Sequence, residues 1–202
     1  MRRAELVLAS ASPRRAQLLR QLGFEFRVDA QDIDESRRPG EPPRDYVSRM
    51  ADEKREALLK TGERAALILA ADTVVVQQDR IYGKPADRAQ CVEMLAALSA
   101  SRHEVMTAVS VGVDDQSQSA VVESSVWFRA ITRAEAGAYW DTQEPRDKAG
   151  SYAIQGLGAA FARRLEGSYS AVMGLPAFEV CQLLADYECV PGWQRDNGQS
   201  DG

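Results

Sequence analysis

The stretch LASASPRRAQLL, near the amino terminus, combines two serine hydroxyls with two guanidinium groups at a predicted strand-to-helix turn. The hydroxyls belong to Ser10 and Ser12, and the guanidinium groups belong to Arg14 and Arg15. Pro13 suits the first turn of a helix. Unpaired amides at a helix N-terminus attract anions and an arginine fork matches phosphate oxygens, so the stretch predicts a phosphate-binding corner. The alternative is an ordinary capped helix with two solvated arginines.

Asp72 lies within a nearly unbroken apolar run at residues 66–76, which predicts a strand buried on both faces at the centre of a sheet. A carboxylate buried there is unfavourable unless it meets a cation, a metal ion or hydrogen-bond donors. Ligands of open α/β sheets also bind at strand ends. Asp72 is therefore a candidate functional acid; the alternative is an aspartate that bonds its own turn with help from Thr73.

Two lysines and a glutamate could extend such a site. Lys54 lies among apolar positions of a predicted helix, and Lys84 follows the central strand in the turn YGKP. Lysine is rarely buried, so each one alone is typical of the surface. Together with the arginines they could neutralise a polyphosphate. Glu35, in the acidic stretch DIDES, could supply a second carboxylate, although charged loops are usually solvated.

A glycine-punctuated stretch, DKAGSYAIQGLG, occupies residues 147–158. Its glycines permit close approach of the backbone. Gln155 has both a donor and an acceptor with which to bind a nucleobase edge. The spacing does not match a dinucleotide-binding fingerprint, and a purely structural turn is the alternative.

The sequence contains one histidine, His103, which argues against histidine triads and histidine metal clusters. We expect a structural or surface role for it. A hydrolase of this composition must therefore use oxygen ligands to hold a hard cation such as Mg²⁺ or Mn²⁺. The cysteines, Cys91, Cys181 and Cys189, lack the paired spacing of a metal site, and we expect buried thiols.

The charge balance argues against a nucleic-acid-binding protein. The 202 residues carry a formal net charge of -5, so basic clusters are better explained as local sites for small anions. The apolar run at residues 6–9 is too short for the core of a signal peptide, and no stretch approaches the roughly 18 apolar residues of a membrane span. We predict a cytoplasmic protein without a nucleic-acid or membrane partner.

Short apolar strand patterns alternate with amphipathic helix patterns, which favours an α/β fold. The predicted strands cover residues 5–9, 24–28, 66–76, 104–113, 119–130 and 160–165, with a turn at 77–80. The predicted helices cover residues 13–22, 46–58, 87–98 and 176–185, and a capping box at Thr132 and Glu135 opens another. We predict one domain over residues 1–186 and a polar, mobile tail over residues 187–202.

Four motifs taken in order, LASASPRR, AADTVV, YGKP and DKAGSYAIQGLG, resemble those of the Maf family of nucleoside triphosphate pyrophosphatases. The resemblance spans about residues 6–185. It implies an elongated mixed α/β sheet in two lobes with flanking helices and a central cleft, similar to the inosine triphosphatase-like fold, and a homodimer. It also implies hydrolysis of a nucleoside triphosphate between its α and β phosphates, with Mg²⁺ or Mn²⁺ as cofactor.

The resemblance further implies roles for individual residues. Asp72 would be the proton acceptor that activates water and, with Glu35, would hold the cation. A wall of basic and hydroxyl groups would face the phosphates, and its members would be Ser10, Arg14, Arg15, Lys54 and Lys84.

Three positions bear on the base that is bound. Arg14, Thr73 and Gln155 match family members that act on dTTP and UTP, whereas members that act on 7-methyl-GTP have tryptophan, glutamine and glutamate there. A neutral amide suits an uncharged thymine or uracil. We therefore expect dTTP and UTP as substrates. A nucleotide-binding regulator of cell division without catalysis is the alternative, and a phosphomonoesterase is a third hypothesis.

Overall fold

The described residues form one mixed sheet of seven strands. A computed structural model describes residues 4–62 and 65–195. The strands are β1 (Leu6–Leu8), β2 (Arg27–Val28), β3 (Leu67–Gln77), β4 (Arg80–Tyr82), β5 (Arg102–Val113), β6 (Gln116–Phe128) and β7 (Ala162–Glu166). The sheet order is β2-β1-β3-β5-β6-β7, and β4 pairs with β3 outside this path. β1 is parallel to β2 and β3, whereas the other pairs are antiparallel.

Helices flank this sheet, which confirms the predicted mixed α/β class. They are α1 (Pro13–Gln21), α2 (Pro43–Lys60), α3 (Arg88–Leu98), α4 (Arg133–Asp141), α5 (Tyr169–Met173), α6 (Ala177–Ala185) and α7 (Gly192–Arg195). The 3-10 helices are Glu144–Asp147, Ala149–Ser151 and Leu157–Phe161. Proline begins α1 and α2, and the predicted capping box begins α4. Over the described ranges no helix has the length and apolarity that a membrane crossing requires.

On one face of the sheet, α2 packs against alternate residues of the central strand β3. Ile68 shares a buried cluster with Leu58 of α2, and Val74 shares another with Val47 of α2. Side chains along a strand alternate between its faces. Asp72 therefore points to the same face and toward α2.

The opposite face of β3 carries two hydrophobic cores side by side. Leu69 and Ala71 belong to a core completed by α1 and α6, whereas Val75 belongs to a core completed by α3 and α4. Thr73 lies between the two cores on this face, opposite Thr107 of β5 in the register. The junction between the cores is therefore polar, and it adjoins the candidate site.

The predicted strand at residues 24–28 is wrong for its first half. Only Arg27–Val28 pairs with β1. The Phe24 amide instead donates to the Leu19 carbonyl oxygen at 3.2 Å, and the Phe24 ring is buried in the core beside α1. Burial of the Phe24 ring beside α1 keeps this residue out of the sheet. The strand therefore begins only at Arg27.

Other differences lie in turns. The predicted turn at 77–80 is a tight hairpin in which Gln78 and Asp79 have φ of 50° and 60°, and β4 begins directly after it. β6 begins at residue 116 rather than 119 because the hairpin turns at Asp114, whose φ is 51°. Helix α5 has no counterpart among the sequence predictions.

The chain after α6 returns to the start of the fold. The Trp193 indole Nε1 donates to the Leu22 carbonyl oxygen at 3.1 Å, and the Gly192 amide donates to the Gly23 carbonyl oxygen at 2.8 Å. Residues 196–202 of the predicted tail lie outside the described residues. The domain boundary at residue 186 and the mobility of the tail stay predictions.

Candidate active site

A cleft of about 520 Å³ opens where β1, β3 and α2 meet the glycine-punctuated stretch. This volume is within the usual range of small-molecule sites. Its lining includes every residue that the sequence singled out for the site: Ser10, Ser12, Arg14, Arg15, Glu35, Lys54, Asp72, Thr73, Lys84 and Gln155. The structure thus brings these residues to one cavity, while their individual roles stay predictions.

Lys54 holds two carboxylates in the cleft. Its Nζ lies 2.7 Å from Asp72 Oδ1 and 2.7 Å from Glu35 Oε1. The Lys54 and Asp72 side chains are each 14% exposed, whereas Glu35 is 49% exposed. Because both carboxylates contact one ammonium group, they converge on one point of the cleft. The packing of α2 on β3 creates this arrangement, since it turns Lys54 and Asp72 toward each other.

The positive charges of the cleft keep Glu35 ionised. Desolvation raises the pKa of Glu35, but the hydrogen bond and charge of Lys54 lower it, Lys84 and Arg15 lower it further, and the net shift is downward. Tyr46 contributes a hydroxyl that donates to the Glu35 carbonyl oxygen at 2.8 Å. Desolvation raises the pKa of Tyr46 to about 12, so its hydroxyl remains a donor at neutral pH.

Arg15 connects three parts of the cleft through uncharged acceptors. Its Nε donates to the Gly174 carbonyl oxygen at 2.8 Å, at the end of α5. Its Nη1 donates to Ser10 Oγ at 3.0 Å, and its Nη2 donates to Thr73 Oγ1 at 3.1 Å. Burial lowers the pKa of Arg15 and the Asp72 charge opposes this shift, yet an arginine stays charged at neutral pH. A desolvated positive charge is thereby fixed at the junction of the two cores.

Arg14 extends toward the other wall of the cleft. Its Nη1 lies 3.3 Å from Asp147 Oδ2, and Lys148 Nζ pairs with the other oxygen of the same carboxylate. The Asp147 side chain is 59% exposed, so an incoming anion can replace it. Arg14 and Lys148 are therefore already oriented around one anionic carboxylate.

Arg49 fastens the acidic loop between β2 and α2 onto α2. Its guanidinium donates to the two oxygens of Glu41 at 2.6 and 2.7 Å and to the Ser36 carbonyl oxygen at 3.1 Å. It also contacts Glu53, one turn along α2. The Arg49 and Glu41 side chains are only 14% and 9% exposed. Because Glu35 directly precedes Ser36, this ion pair holds Glu35 next to Lys54.

Sequence reasoning gave no site role to Tyr46, Asp147 or Lys148, which also line the cleft. Asp147 and Lys148 open the motif DKAGSYAIQGLG, and a charged pair directly before a glycine turn was an available signal. Tyr46 carried no comparable signal, since its spacing is that of an ordinary helix residue. Its role depends on the fold of the acidic loop.

The expectations for histidine and cysteine are confirmed, with one difference. His103 is 1% exposed, and its Nε2 lies 2.9 Å from the Tyr152 hydroxyl in an aromatic core. Burial lowers its pKa to about 4. Cys91 and Cys189 are buried, whereas Cys181 is only partly buried.

The carboxylates of the cleft fit a hard divalent cation. Among residues 4–62 and 65–195, no group of three or more His, Cys, Asp or Glu side chains forms a complete metal site. Mg²⁺, however, is commonly held by one or two carboxylates together with substrate phosphates and water. Glu35 and Asp72, which converge at Lys54 in an open cleft, supply such a partial set.

The fold is mixed α/β, and its nucleotide-sized cleft contains guanidinium, ammonium and carboxylate groups. These features are typical of a class of protein that binds a polyanion beside an acid-base group. A family model described as Maf-like protein matches residues 5–187. The chain belongs to this family.

Curated relatives and a solved structure are similar to this chain. A dTTP/UTP pyrophosphatase of Vibrio parahaemolyticus is 49% identical over 182 residues, which cover 90% of this chain and 96% of the relative. A dTTP/UTP pyrophosphatase of Saccharophagus degradans is 49% identical over 194 residues, 95% of this chain and 92% of the relative. A solved nucleoside-triphosphatase (dITP/XTP pyrophosphatase) of Mycobacterium abscessus aligns with a TM-score of 0.40 at 16% identity, over 63% of this chain and 75% of that one.

Proposed function

We propose that this Maf-family protein hydrolyses dTTP and UTP between the α and β phosphates, releasing the nucleoside monophosphate and pyrophosphate. The observation that carries the proposal is the convergence of Asp72 and Glu35 at Lys54, inside a cleft that also contains Arg14 and Arg15. The names of the relatives at 49% identity support the same activity. A protein that only binds nucleotides has little need for carboxylates beside an anionic ligand.

The phosphates bind to the basic wall of the cleft. A triphosphate carries about four negative charges, which arginine forks and ammonium groups stabilise as pyrophosphate leaves. Arg14 exchanges Asp147 for a phosphate oxygen, and Lys84, which lines the same cleft and lowers the pKa of Glu35, adds a further positive charge. Ser10 acts together with Arg15, which its hydroxyl already contacts at 3.0 Å.

Asp72 is the proton acceptor for the attacking water. Its Oδ1 faces Lys54, so the carboxylate is held in one orientation on the rigid central strand. Glu35 and Asp72 would hold Mg²⁺ or Mn²⁺, which when bound supplies Lewis-acid stabilisation of phosphate oxygens. Lys54 contacts both carboxylates and holds them close together before the substrate arrives.

Gln155 accounts for the preference for thymine and uracil, and Thr73 contributes to substrate binding by another route. Gln155 is an exposed residue that lines the cleft, and its amide can donate to a ring carbonyl and accept from a ring N–H. The Thr73 hydroxyl is bonded to Arg15 and lies 3.0 Å from the Thr107 hydroxyl. Thr73 therefore acts on the substrate through Arg15.

Substitution of Asp72 tests the proposal. We expect Asp72→Asn to fold normally and to release pyrophosphate from dTTP at least 10²-fold more slowly, because an amide cannot accept the proton. Asp79→Asn is the matched control, since Asp79 lies in the exposed turn just beyond the same strand, outside the cleft. Normal turnover by folded Asp72→Asn, measured by pyrophosphate release with Mn²⁺, would exclude Asp72 as the base.

We also propose that the protein acts as a homodimer in the cytoplasm, without nucleic-acid or membrane partners. The net charge of -5 and the family resemblance support this. Sedimentation equilibrium should give twice the mass of one chain, and a monomer mass at micromolar concentration would contradict the dimer.

A further inference from the structure

The short turn that presents Gln155 is folded around two side chains from elsewhere in the chain. Gln155 lies in a turn closed by the Gly156 amide, which donates to the Ala153 carbonyl oxygen at 3.1 Å. Before this turn, the Ala153 amide donates to the Tyr139 hydroxyl at 3.1 Å. Gln155 itself is exposed in the cleft, so its position depends on how the flanking backbone is held.

After the turn, the backbone is held by the carboxylate of Glu144. The Leu157 amide donates to Glu144 Oε2 at 3.0 Å, and the Gly158 amide donates to Glu144 Oε1 at 3.0 Å. The Tyr139 hydroxyl donates to the same Oε1 at 2.7 Å. One carboxylate and one hydroxyl thus fix the backbone on both sides of Gln155.

The glycines of the motif make room for this arrangement. A Cβ on Gly156 would lie 2.2 Å from Glu144 Oε2, and a Cβ on Gly158 would lie 2.8 Å from the Tyr139 hydroxyl oxygen. Neither contact is possible without moving the carboxylate or the ring. The close approach of the Glu144 carboxylate and the Tyr139 hydroxyl therefore explains why glycine occurs at positions 156 and 158 of the motif.

Both anchoring groups are themselves fixed. Tyr139 is 5% exposed, and its ring packs edge-on against Phe161 with centroids 5.2 Å apart. Desolvation raises the pKa of Glu144, but the Tyr139 hydrogen bond and the Gly158 and Leu157 amides lower it, so the net shift is downward. The carboxylate is therefore ionised at neutral pH and accepts all three hydrogen bonds.

We propose that Glu144 and Tyr139 are positioning residues that set the selectivity for the base by fixing Gln155 in the cleft. This inference rests on the proposed function, in which Gln155 contacts the base. Uracil and cytosine differ in the group at ring position 4, a carbonyl against an amine. A Gln155 side chain that extends from a fixed backbone reaches this group from one direction and thereby distinguishes UTP from CTP. A displaced or mobile amide loses that distinction while the phosphate site is unchanged.

The test compares the ratio of kcat/KM for UTP to that for CTP in the full-length protein. We expect Glu144→Gln to reduce the ratio about tenfold, because an amide replaces one acceptor oxygen and leaves a backbone donor without its charged partner. Tyr139→Phe, which keeps the ring, should reduce it in the same direction. Glu135→Gln is the matched control: it makes the same change in the capping box of α4, outside the cleft, and should keep the wild-type ratio.

Three outcomes separate the possibilities. A lowered ratio in Glu144→Gln and Tyr139→Phe supports the inference. A uniform loss of activity with both nucleotides, at an unchanged ratio, overturns it, because Glu144 then serves only the stability of the fold. If Gln155→Glu also leaves the ratio unchanged, the contact of Gln155 with the base is itself contradicted, which distinguishes failure of the proposed function from failure of the inference.

Discussion

Arg14 and Arg15 are adjacent in sequence, yet the structure gives them different surroundings. Arg15 is bonded to Ser10, Thr73 and the carbonyl of Gly174, which are all uncharged. Arg14 contacts the exposed carboxylate of Asp147, which a substrate can replace. We infer that Arg15 stabilises the structure of the cleft and also supplies a positive charge to it. Arg14, in contrast, serves mainly to bind phosphate.

Two substitutions test this difference. Arg14→Ala should lower kcat/KM for dTTP about 10²-fold with little change in the free energy of unfolding. Arg15→Lys should lower kcat/KM and also reduce the free energy of unfolding by about 2 kcal/mol, because one ammonium cannot reach all three acceptors. Urea unfolding and steady-state kinetics measure both quantities.

The control for these variants is Arg20→Ala. Arg20 lies at the far end of α1, with its guanidinium 5.3 Å from the centroid of the Phe26 ring and outside the cleft. It should retain wild-type kcat/KM. Equal losses of stability in Arg14→Ala and Arg15→Lys would contradict the division of roles.

The acidic loop between β2 and α2 depends on α2 for its position. The Arg49–Glu41 ion pair fastens the loop, and Glu35 lies between that ion pair and Lys54. The hydrogen bond from Arg49 lowers the pKa of Glu41 from 4.5 to about 2. A carboxyl group whose pKa is lower in the folded state stabilises the protein above its unfolded pKa and loses that effect as the pH falls toward its folded pKa.

A pH series of urea unfolding tests this contribution. The difference in unfolding free energy between wild type and Glu41→Gln should be constant above about pH 5 and should shrink as the pH falls from about 4.5 to 2. Using the difference between the two proteins removes the titration of other carboxylates. A difference that does not change between pH 6 and pH 3 would show that the ion pair is absent in solution.

The sequence predicts elements whose local pattern of apolar residues indicates burial. It does not predict features that depend on contacts with distant parts of the chain. The central strand, predicted at 66–76 and observed at Leu67–Gln77, has apolar residues on both faces. The strand at 24–28 was only half right because Phe24 is drawn into the core beneath α1. The Arg49–Glu41 ion pair joins helix α2 to the acidic loop that precedes it. Charge alone does not indicate which carboxylate an arginine contacts, so the sequence did not predict this pair.

The cleft lies beside the junction of the two hydrophobic cores on one face of the sheet. Thr73 and Thr107 lie at this junction, and the Thr107 hydroxyl donates to the Ala171 carbonyl oxygen in α5 at 2.7 Å. Arg15 bonds to Thr73 and to Gly174 at the end of the same helix. The geometry of the phosphate site therefore depends on both cores, since each one fixes part of its wall.

Product analysis of dTTP turnover in ¹⁸O-labelled water, with Mn²⁺ present, tests the proposed cleavage directly. Hydrolysis of the bond between the α and β phosphates predicts dTMP and pyrophosphate in equal amounts. The ¹⁸O label should be confined to the product whose phosphorus is attacked by water. The reaction should stop when the cation is chelated and should be lost in Asp72→Asn. Formation of dTDP and inorganic phosphate, or recovery of unchanged dTTP bound to the folded protein, would contradict the proposed activity.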